Sequence, residues 1–349
     1  MGKNSTRKEI KVLGIDTREN SFHLHGVDAK GNPVFREHYS RAKMLEFMAN
    51  LKPCLVGIEA CPGAHHVARE LKNMGHDVRM MVAQRVKPYV KNKKNNRLDS
   101  AAICEAVQQP MMRFVTIKSL EQQDIKSLHR MRNKTISHRT ALNNMIYKLL
   151  MDYGVVIPTG PDQVRSLIPK ILNDTGNGLT EWFRDELRQL NDQLLHFDRR
   201  IHGFDGQIKD ISRENQSCRM LETIPGIDPL TSTALIAAIG DVSVFKNGRA
   251  MAAWLGLVPR QHSTEEGTCL ARIGNQGDAY LKMLLLHGAR SALIQAREKK
   301  DRLSRWVTKL EKRRGWNVAT VALAAKNARI VWALLAKGET FKVAEAEES

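Results

Sequence analysis

Cysteine is scarce and poorly spaced for structural chemistry. The 349 residues contain five (Cys54, Cys61, Cys104, Cys218, Cys269), an odd number with no Cys-x-x-Cys pair. That argues against a zinc site or a disulfide framework and for a reducing, cytoplasmic compartment. No apolar run reaches the ~18 residues a membrane-spanning helix needs, so no membrane partner is expected. The polar residues 1–8 lack the apolar stretch of a secretory signal. Acidic residues are in short supply: 37 Asp and Glu stand against 55 Lys and Arg, a formal charge of +18. An excess of this size points to a nucleic-acid partner. Apolar residues at 42% and charged residues at 26% argue against a disordered chain, and the length predicts two or three domains.

The first hundred residues read as α/β. Residues 10–15 form a short apolar run ending at Asp16, as a buried strand would. Residues 21–27 alternate, 28–32 supply a turn and 34–39 follow, predicting a three-stranded antiparallel meander. A helix is expected over 40–51 with Ser40 as its N-cap. A second buried strand, 54–58, ends at Glu59; a helix over 65–74 stops at Gly75, and a fifth strand spans 77–82. The order β-β-β-α-β-α-β is that of an RNase H-like fold.

A basic stretch follows, with Arg85, Lys87, Lys91, Lys93, Lys94 and Arg97, and then a helix over 98–107. Residues 119–150 hold no Gly or Pro and read as one long helix, whose Arg130, Arg132 and Arg139 offer a basic face. Phe183, Leu187, Leu190, Leu194, Phe197, Ile201, Phe204, Ile208 and Ile211 step by 4 and 3 in turn, the seam of a coiled coil. Either a hairpin within the chain or an arm between subunits satisfies it, and Gly203 and Gly206 are places where it is expected to bend or end. Residues 220–234 have the form of a helix-hairpin-helix, whose turn would leave backbone N–H groups for a phosphate; a plain helix–turn–helix core fits nearly as well. The expected divisions are 1–118, 119–214 and 215–349.

Asp16 and Glu59 each follow an apolar strand, and Asp99 opens a helix. In an RNase H-like sheet the first and fourth strands are neighbours, so Asp16 and Glu59 would lie side by side with Asp99 able to approach. Clustered carboxylates repel unless a divalent cation neutralises them, and such clusters hold Mg²⁺ for phosphoryl transfer. Singly, each acid is an ordinary turn former or cap; it is the joint placement that points to chemistry.

Several stretches together resemble one family: Gly14-Ile-Asp16, the run Gly57-Ile-Glu-Ala-Cys-Pro-Gly-Ala-His-His66, Val86-Lys-Pro-Tyr-Val-Lys91, Met111-Met-Arg-Phe-Val115, Trp254-Leu-Gly-Leu-Val-Pro-Arg-Gln261 and Gly277-Asp-Ala-Tyr-Leu281. The family is the DEDD-type transposases and recombinases of bacterial insertion sequences, which includes the Piv-type DNA invertases. The resemblance runs from about residue 11 to 342. It implies a RuvC-like N-terminal domain, a coiled-coil arm and a mostly helical C-terminal transposase domain. The family's acidic tetrad falls on Asp16, Glu59, position 96 and Asp99, where position 96 is Asn96 instead of Asp. Asn offers one neutral oxygen where Asp offers two and a charge, so weaker metal binding and slowed or abolished cleavage are expected; Glu105 is a distant substitute.

The family's serine nucleophile falls on Ser263, with Thr264 as the fallback. Glu265 and Glu266 stand where the family has small glycines, and Arg260 and Arg272 flank the loop as candidate phosphate ligands. The resemblance further implies Mg²⁺, double-stranded donor and target DNA, a structured non-coding guide RNA, and a dimer or tetramer at the bacterial nucleoid. A catalytically dead nucleic-acid-binding relative and a RuvC-like junction nuclease are the alternatives; the latter needs neither the Ser loop nor the hairpin.

Overall fold

Alternation along β1 (Val12–Thr17) sets the first layer. Leu13 and Ile15 are buried on one side of the strand, while Val12, Gly14 and Asp16 fall on the other. β2 (Ser21–Val27) and β3 (Pro33–Ser40) continue the antiparallel meander. Helix α1 (Arg41–Ala49) then leads to β4 (Leu55–Glu59), and α2 (Ala64–Asn73) leads to β5 (Asp77–Met81). Ser40 holds the N-cap position of α1, but its side chain makes no capping hydrogen bond. The sheet order is β3-β2-β1-β4-β5, with β1, β4 and β5 parallel. This mixed five-stranded sheet is consistent with the RNase H-like expectation.

The computed structural model describes residues 9–17, 21–90, 96–158, 160, 163–264, 267–274 and 277–341; at 96–98, 260–264 and 267–272 it describes the backbone alone. Two compact units make up the chain, Met1–Ser119 and Leu120–Ser349. In the first, Leu13, Ile15, Val56 and Ile58 pack with Met44, Met48, Val67 and Leu71 on the α1–α2 side. The short α3 (Ala83–Val86) follows β5. On the opposite side α4 (Asn96–Ala106) covers the sheet, with Ile103, Ala106 and Val107 packed near Val12 and Leu55. Val115 ties the end of the unit to β5, its N–H donating to the Met80 carbonyl at 2.7 Å.

The second unit opens with α5 (Leu120–Asp152), α6 (Gln163–Asn173) and α7 (Glu181–Glu214). The heptad seam of α7 is satisfied within the chain. Phe183, Leu187 and Leu194 pack with Leu142, Ile146 and Leu150, and Phe204 and Ile208 pack with Leu128, so α5 and α7 run antiparallel. α7 continues unbroken through Gly203 and Gly206, and the break expected there does not occur. The helical arm and the C-terminal helices fall within this second compact unit.

That unit continues with α8 (Gln216–Glu222), α9 (Pro229–Ile239), α10 (Gly248–Trp254), the hairpin β6 (Pro259–Thr264) and β7 (Gly267–Ile273), then α11 (Ala279–Ala296), α12 (Arg302–Arg314) and α13 (Trp316–Lys337). α13 is apolar and long enough to cross a membrane by length and composition. Its buried Leu323, Ala324, Ala328 and Val331 lie in the core of this helical bundle, and burial there accounts for its composition.

The α8–α9 turn is a packing joint. Gly226 lies at φ +86, and a Cβ on it would meet the Gly288 carbonyl oxygen of α11 at 2.4 Å. Asn327 Nδ2 of α13 donates to the Pro225 carbonyl at 2.9 Å. Asp228 caps α9 by accepting from the Thr231 N–H at 2.8 Å, and the Ile227 N–H donates to the Ile224 carbonyl at 3.0 Å. Two of the amides that a phosphate would use are therefore bonded inside the fold.

Candidate active site

The acidic site is built on two strand ends. Gly14 pairs with Gly57 and Ile15 with Ile58 in the parallel β1–β4 register. One residue further on, Asp16 and Glu59 stand level at the C-terminal ends of adjacent strands, about 4.8 Å apart in the hydrogen-bonding direction. Period-two alternation puts both on the face that carries Gly14 and Gly57, the face covered by α4.

Those glycines let the helix in. A Cβ on Gly14 would lie 2.2 Å from the Ser100 carbonyl oxygen and 2.5 Å from the Cys104 nitrogen; one on Gly57 would lie 2.8 Å from Val107 Cβ. With no side chain at either position, α4 rests on the sheet backbone. Its first turn, which carries positions 96 and 99 on one face at i and i+3, is thereby brought over the acids. The motif glycines are thus functional through packing, a role that local sequence does not reveal.

The electrostatics agree with this placement. The Glu59 carboxyl is pushed above its ordinary range, first by burial and then by the charges of Asp16 and Asp99, with Lys87 opposing. Thr17 Oγ1 is hydrogen-bonded to Cys61 Sγ, fastening the end of β1 to the loop after β4. Burial, and then Glu59 and Asp16, hold the Cys61 thiol above its usual value.

The donor chemistry fits a hard divalent ion. The charges of Asp16 and Asp99 add to burial in raising the cost of ionising Glu59, which a cation would relieve. Among the described residues, no three of His, Cys, Asp and Glu are close enough to form a metal-binding group. An ion of the Mg²⁺ type takes one or two carboxylates directly and completes its shell with water and phosphate oxygens, so the remaining acids would hold it through water. Asn96 is the first residue of α4; its side chain lies outside the described residues.

The sequence-predicted basic residues divide three ways. Arg85 and Lys87 are exposed just after β5, and Arg130 is exposed on α5. Arg132 donates to Asp205 at 2.5 Å and Arg139 to Asp198 at 2.9 Å, so both bolt α5 to α7 and are engaged within the fold. Their partners lie 73 and 59 residues away in sequence, which a helix-face reading cannot anticipate. Lys91, Lys93 and Lys94 lie outside the described residues, as do the side chains of Arg97, Arg260 and Arg272.

The expected Ser loop is a β-hairpin. Ser263 pairs with Thr268 and Thr264 with Gly267, placing both hydroxyl-bearing residues at the end of β6; Glu265 and Glu266 lie outside the described residues. Gly277, at φ +85, closes the hairpin base: a Cβ there would meet the Leu255 carbonyl carbon at 2.6 Å and the Trp254 oxygen at 2.7 Å. Lys282 Nζ adds a hydrogen bond to the Gly274 carbonyl at 2.8 Å.

Known proteins carry the same arrangement of sequence. The chain is 41% identical over 334 residues to a probable family 20 transposase of Pseudomonas aeruginosa, covering 95% of this chain and 99% of that protein. It is 39% identical to the transposase for insertion sequence element IS1111A of Coxiella burnetii, covering 96% of this chain and 92% of the relative. The model of the "Transposase IS116/IS110/IS902 family" matches residues 218–304, and that of the DEDD-type IS110 transposases matches 13–155. The chain belongs to this transposase family. It is therefore a DNA-recombining enzyme of a bacterial insertion sequence, of a type that depends on divalent metal. A pilin gene-inverting protein of Moraxella bovis is a partial relative, 35% identical over 81 residues and 23% of this chain. The 13–155 segment contains Asp16, Glu59, Asn96 and Asp99, and the 218–304 segment contains Ser263 and the hairpin.

Proposed function

We propose that this transposase cleaves and rejoins DNA through Ser263, with Mg²⁺ held by Asp16, Glu59, Asp99 and the Asn96 position. One observation carries the reading: Asp16 and Glu59 stand level on neighbouring strands, beneath the helix that bears positions 96 and 99. When bound, the ion supplies positive charge that offsets the carboxylates and the scissile phosphate. The Ser263 hydroxyl attacks phosphorus; a phosphoserine bond forms, the bond to the 3′ oxygen breaks, and the 3′-hydroxyl leaves with a proton. Arg260 and Arg272 anchor the phosphate, and Arg85, Lys87 and Arg130 bind the flanking DNA backbone. Thr264 is the fallback nucleophile. The guide RNA, the dimeric or tetrameric state and the nucleoid location are carried over from the family resemblance, and the +18 charge supports several phosphate-bearing partners.

Asn96 weakens the site, and this favours a second reading: a relative that holds nucleic acid without cutting it. Strand cleavage on paired element ends, with Mg²⁺ and the element's own RNA, separates the two. Asn96→Asp is expected to cleave at least about tenfold faster than the chain as it stands, a barrier lower by about 1.4 kcal/mol. A covalent protein–DNA band should vanish in Ser263→Ala and persist in Thr264→Ala. Inactivity of both the present chain and Asn96→Asp, with RNA binding intact, would establish the non-catalytic reading.

A further inference from the structure

Half of the chain's net charge lies in a stretch of sequence that neither the acidic site nor the Ser263 hairpin uses. Residues 297–337 hold twelve Lys and Arg against three acids, a net charge of +9. Two of those acids are engaged inside the fold: Asp301 caps α12, and Glu311 pairs with Arg297 at 2.5 Å. An open groove of about 1100 Å³ lies along α13, bounded by Trp306 of α12 and by residues 338–341, and is lined by Lys326, Arg329 and Phe341, with Glu339 among the lining residues. The half-buried Lys326 ammonium stands 4.0 Å from the centre of the Trp306 ring. Its pKa is held below the usual lysine value, first by burial and then by the charges of Arg329 and Arg302. Among the described residues, none of these three cations has a carboxylate within ion-pair distance. Cations converging on a partly desolvated groove repel one another, and a bound polyanion removes that cost.

We propose that the α12–α13 groove is a sequence-independent docking site for the sugar–phosphate backbone of duplex DNA, with Arg302, Lys326 and Arg329 as phosphate ligands. Charge complementarity selects a polyanion. The stacking of Lys326 on Trp306 covers a ring face that a splayed single-stranded base would need, which favours binding of the backbone over base stacking. The groove-lining Trp306, Lys326, Arg329 and Phe341 lie beyond residue 304, where the C-terminal family match ends, and Arg302, whose charge Lys326 feels, lies just before it. The proposal uses the transposase assignment only to supply the DNA.

The test is anisotropy of a short labelled duplex of arbitrary sequence, titrated with the full chain at several salt concentrations. Arg302→Gln/Lys326→Gln/Arg329→Gln is compared with a variant of equal charge loss at exposed lysines elsewhere, Lys72→Gln/Lys170→Gln/Lys209→Gln. The groove variant should bind about 10-fold or more weakly near 0.1 M salt. Its slope of log K against log salt should fall by about 0.9 for each phosphate that the protein no longer neutralises. The effect should be the same for unrelated duplex sequences, and the control should keep the wild-type slope. Equal losses in both variants, or an unchanged slope in the groove variant, would overturn the proposal. So would weakened binding to a structured RNA with duplex binding intact. Arg329→Gln, at an exposed position, reads the same slope with a single cation removed and does not depend on the triple variant folding. A wild-type chain that fails to bind duplex at all would count against the transposase assignment as well; binding that the groove variant leaves untouched counts against the groove alone.

Discussion

Replacing Gly14 by Ala adds one carbon where helix and strand backbones touch. The new Cβ would lie 2.2 Å from the Ser100 carbonyl oxygen and 2.5 Å from the Cys104 nitrogen, roughly 1 Å or more short of an ordinary van der Waals separation. Both neighbours are backbone, so no rotamer change relieves the clash and α4 must lift. Overpacking of this kind costs about 1–3 kcal/mol, and the rigid surroundings place this site at the upper end. Asp99 precedes Ser100 and must move with it; a displacement of about 1 Å in a catalytic group can cost about 100-fold in rate. The same substitution at Gly203 in α7, where an added Cβ meets nothing within 4 Å, should stabilise by up to about 1 kcal/mol through helix propensity. Amide exchange read by mass spectrometry on α4 and α7 peptides, with cleavage assayed in the Asn96→Asp background, measures both effects. Unchanged α4 protection and cleavage within about twofold of the parent in Gly14→Ala would refute the argument that the glycine seats the acidic site.

Asp198→Ala should destabilise the second unit by about 1–3 kcal/mol in denaturant titration, because it leaves Arg139 and Arg165 without their shared, buried carboxylate; partial exposure of both arginines keeps the cost below that of a fully buried pair. Burial alone would raise the Asp198 carboxyl, but hydrogen bonds and charge from the two arginines hold it below its usual value. Its contribution is thus present above about pH 4 and is lost as acid protonates it, and Asp198→Asn should flatten that acid limb. His129 is buried, hydrogen-bonded to Tyr280 Oη and Thr233 Oγ1 at 3.0 Å each, and its pKa is pushed down to about 4 by burial and then Arg132. The unfolded chain binds this proton more readily, so stability should fall by up to about 3 kcal/mol as pH drops from about 6.5 toward 4. His129→Gln, followed by calorimetry across that range, should remove the slope; an unchanged slope would mean that another group carries it.

Local signals were strong where one period dominates. The strand order, the helix between β4 and β5, the long helix now seen as α5 and the heptads of α7 are all legible, because burial on one face writes period 2 or 3.5 into the residues. Asp16 and Glu59 were legible as strand-end acids for the same reason. The hairpin bearing Ser263 was not: its polar residues carry no hydrophobic alternation, and its base is defined by Gly277 meeting the backbone at Trp254 and Leu255.

The sequence by itself determined the α/β-then-helical order, the excess of cations and which acids could meet at strand ends. Tertiary structure decided what each charge does. It spent Arg132 and Arg139 on Asp205 and Asp198, gathered Lys326 and Arg329 at one groove, and satisfied the α7 seam with α5 of the same chain. Composition records how many charges a chain carries, but their partners are set by packing across tens of residues, and only the folded chain brings those residues together.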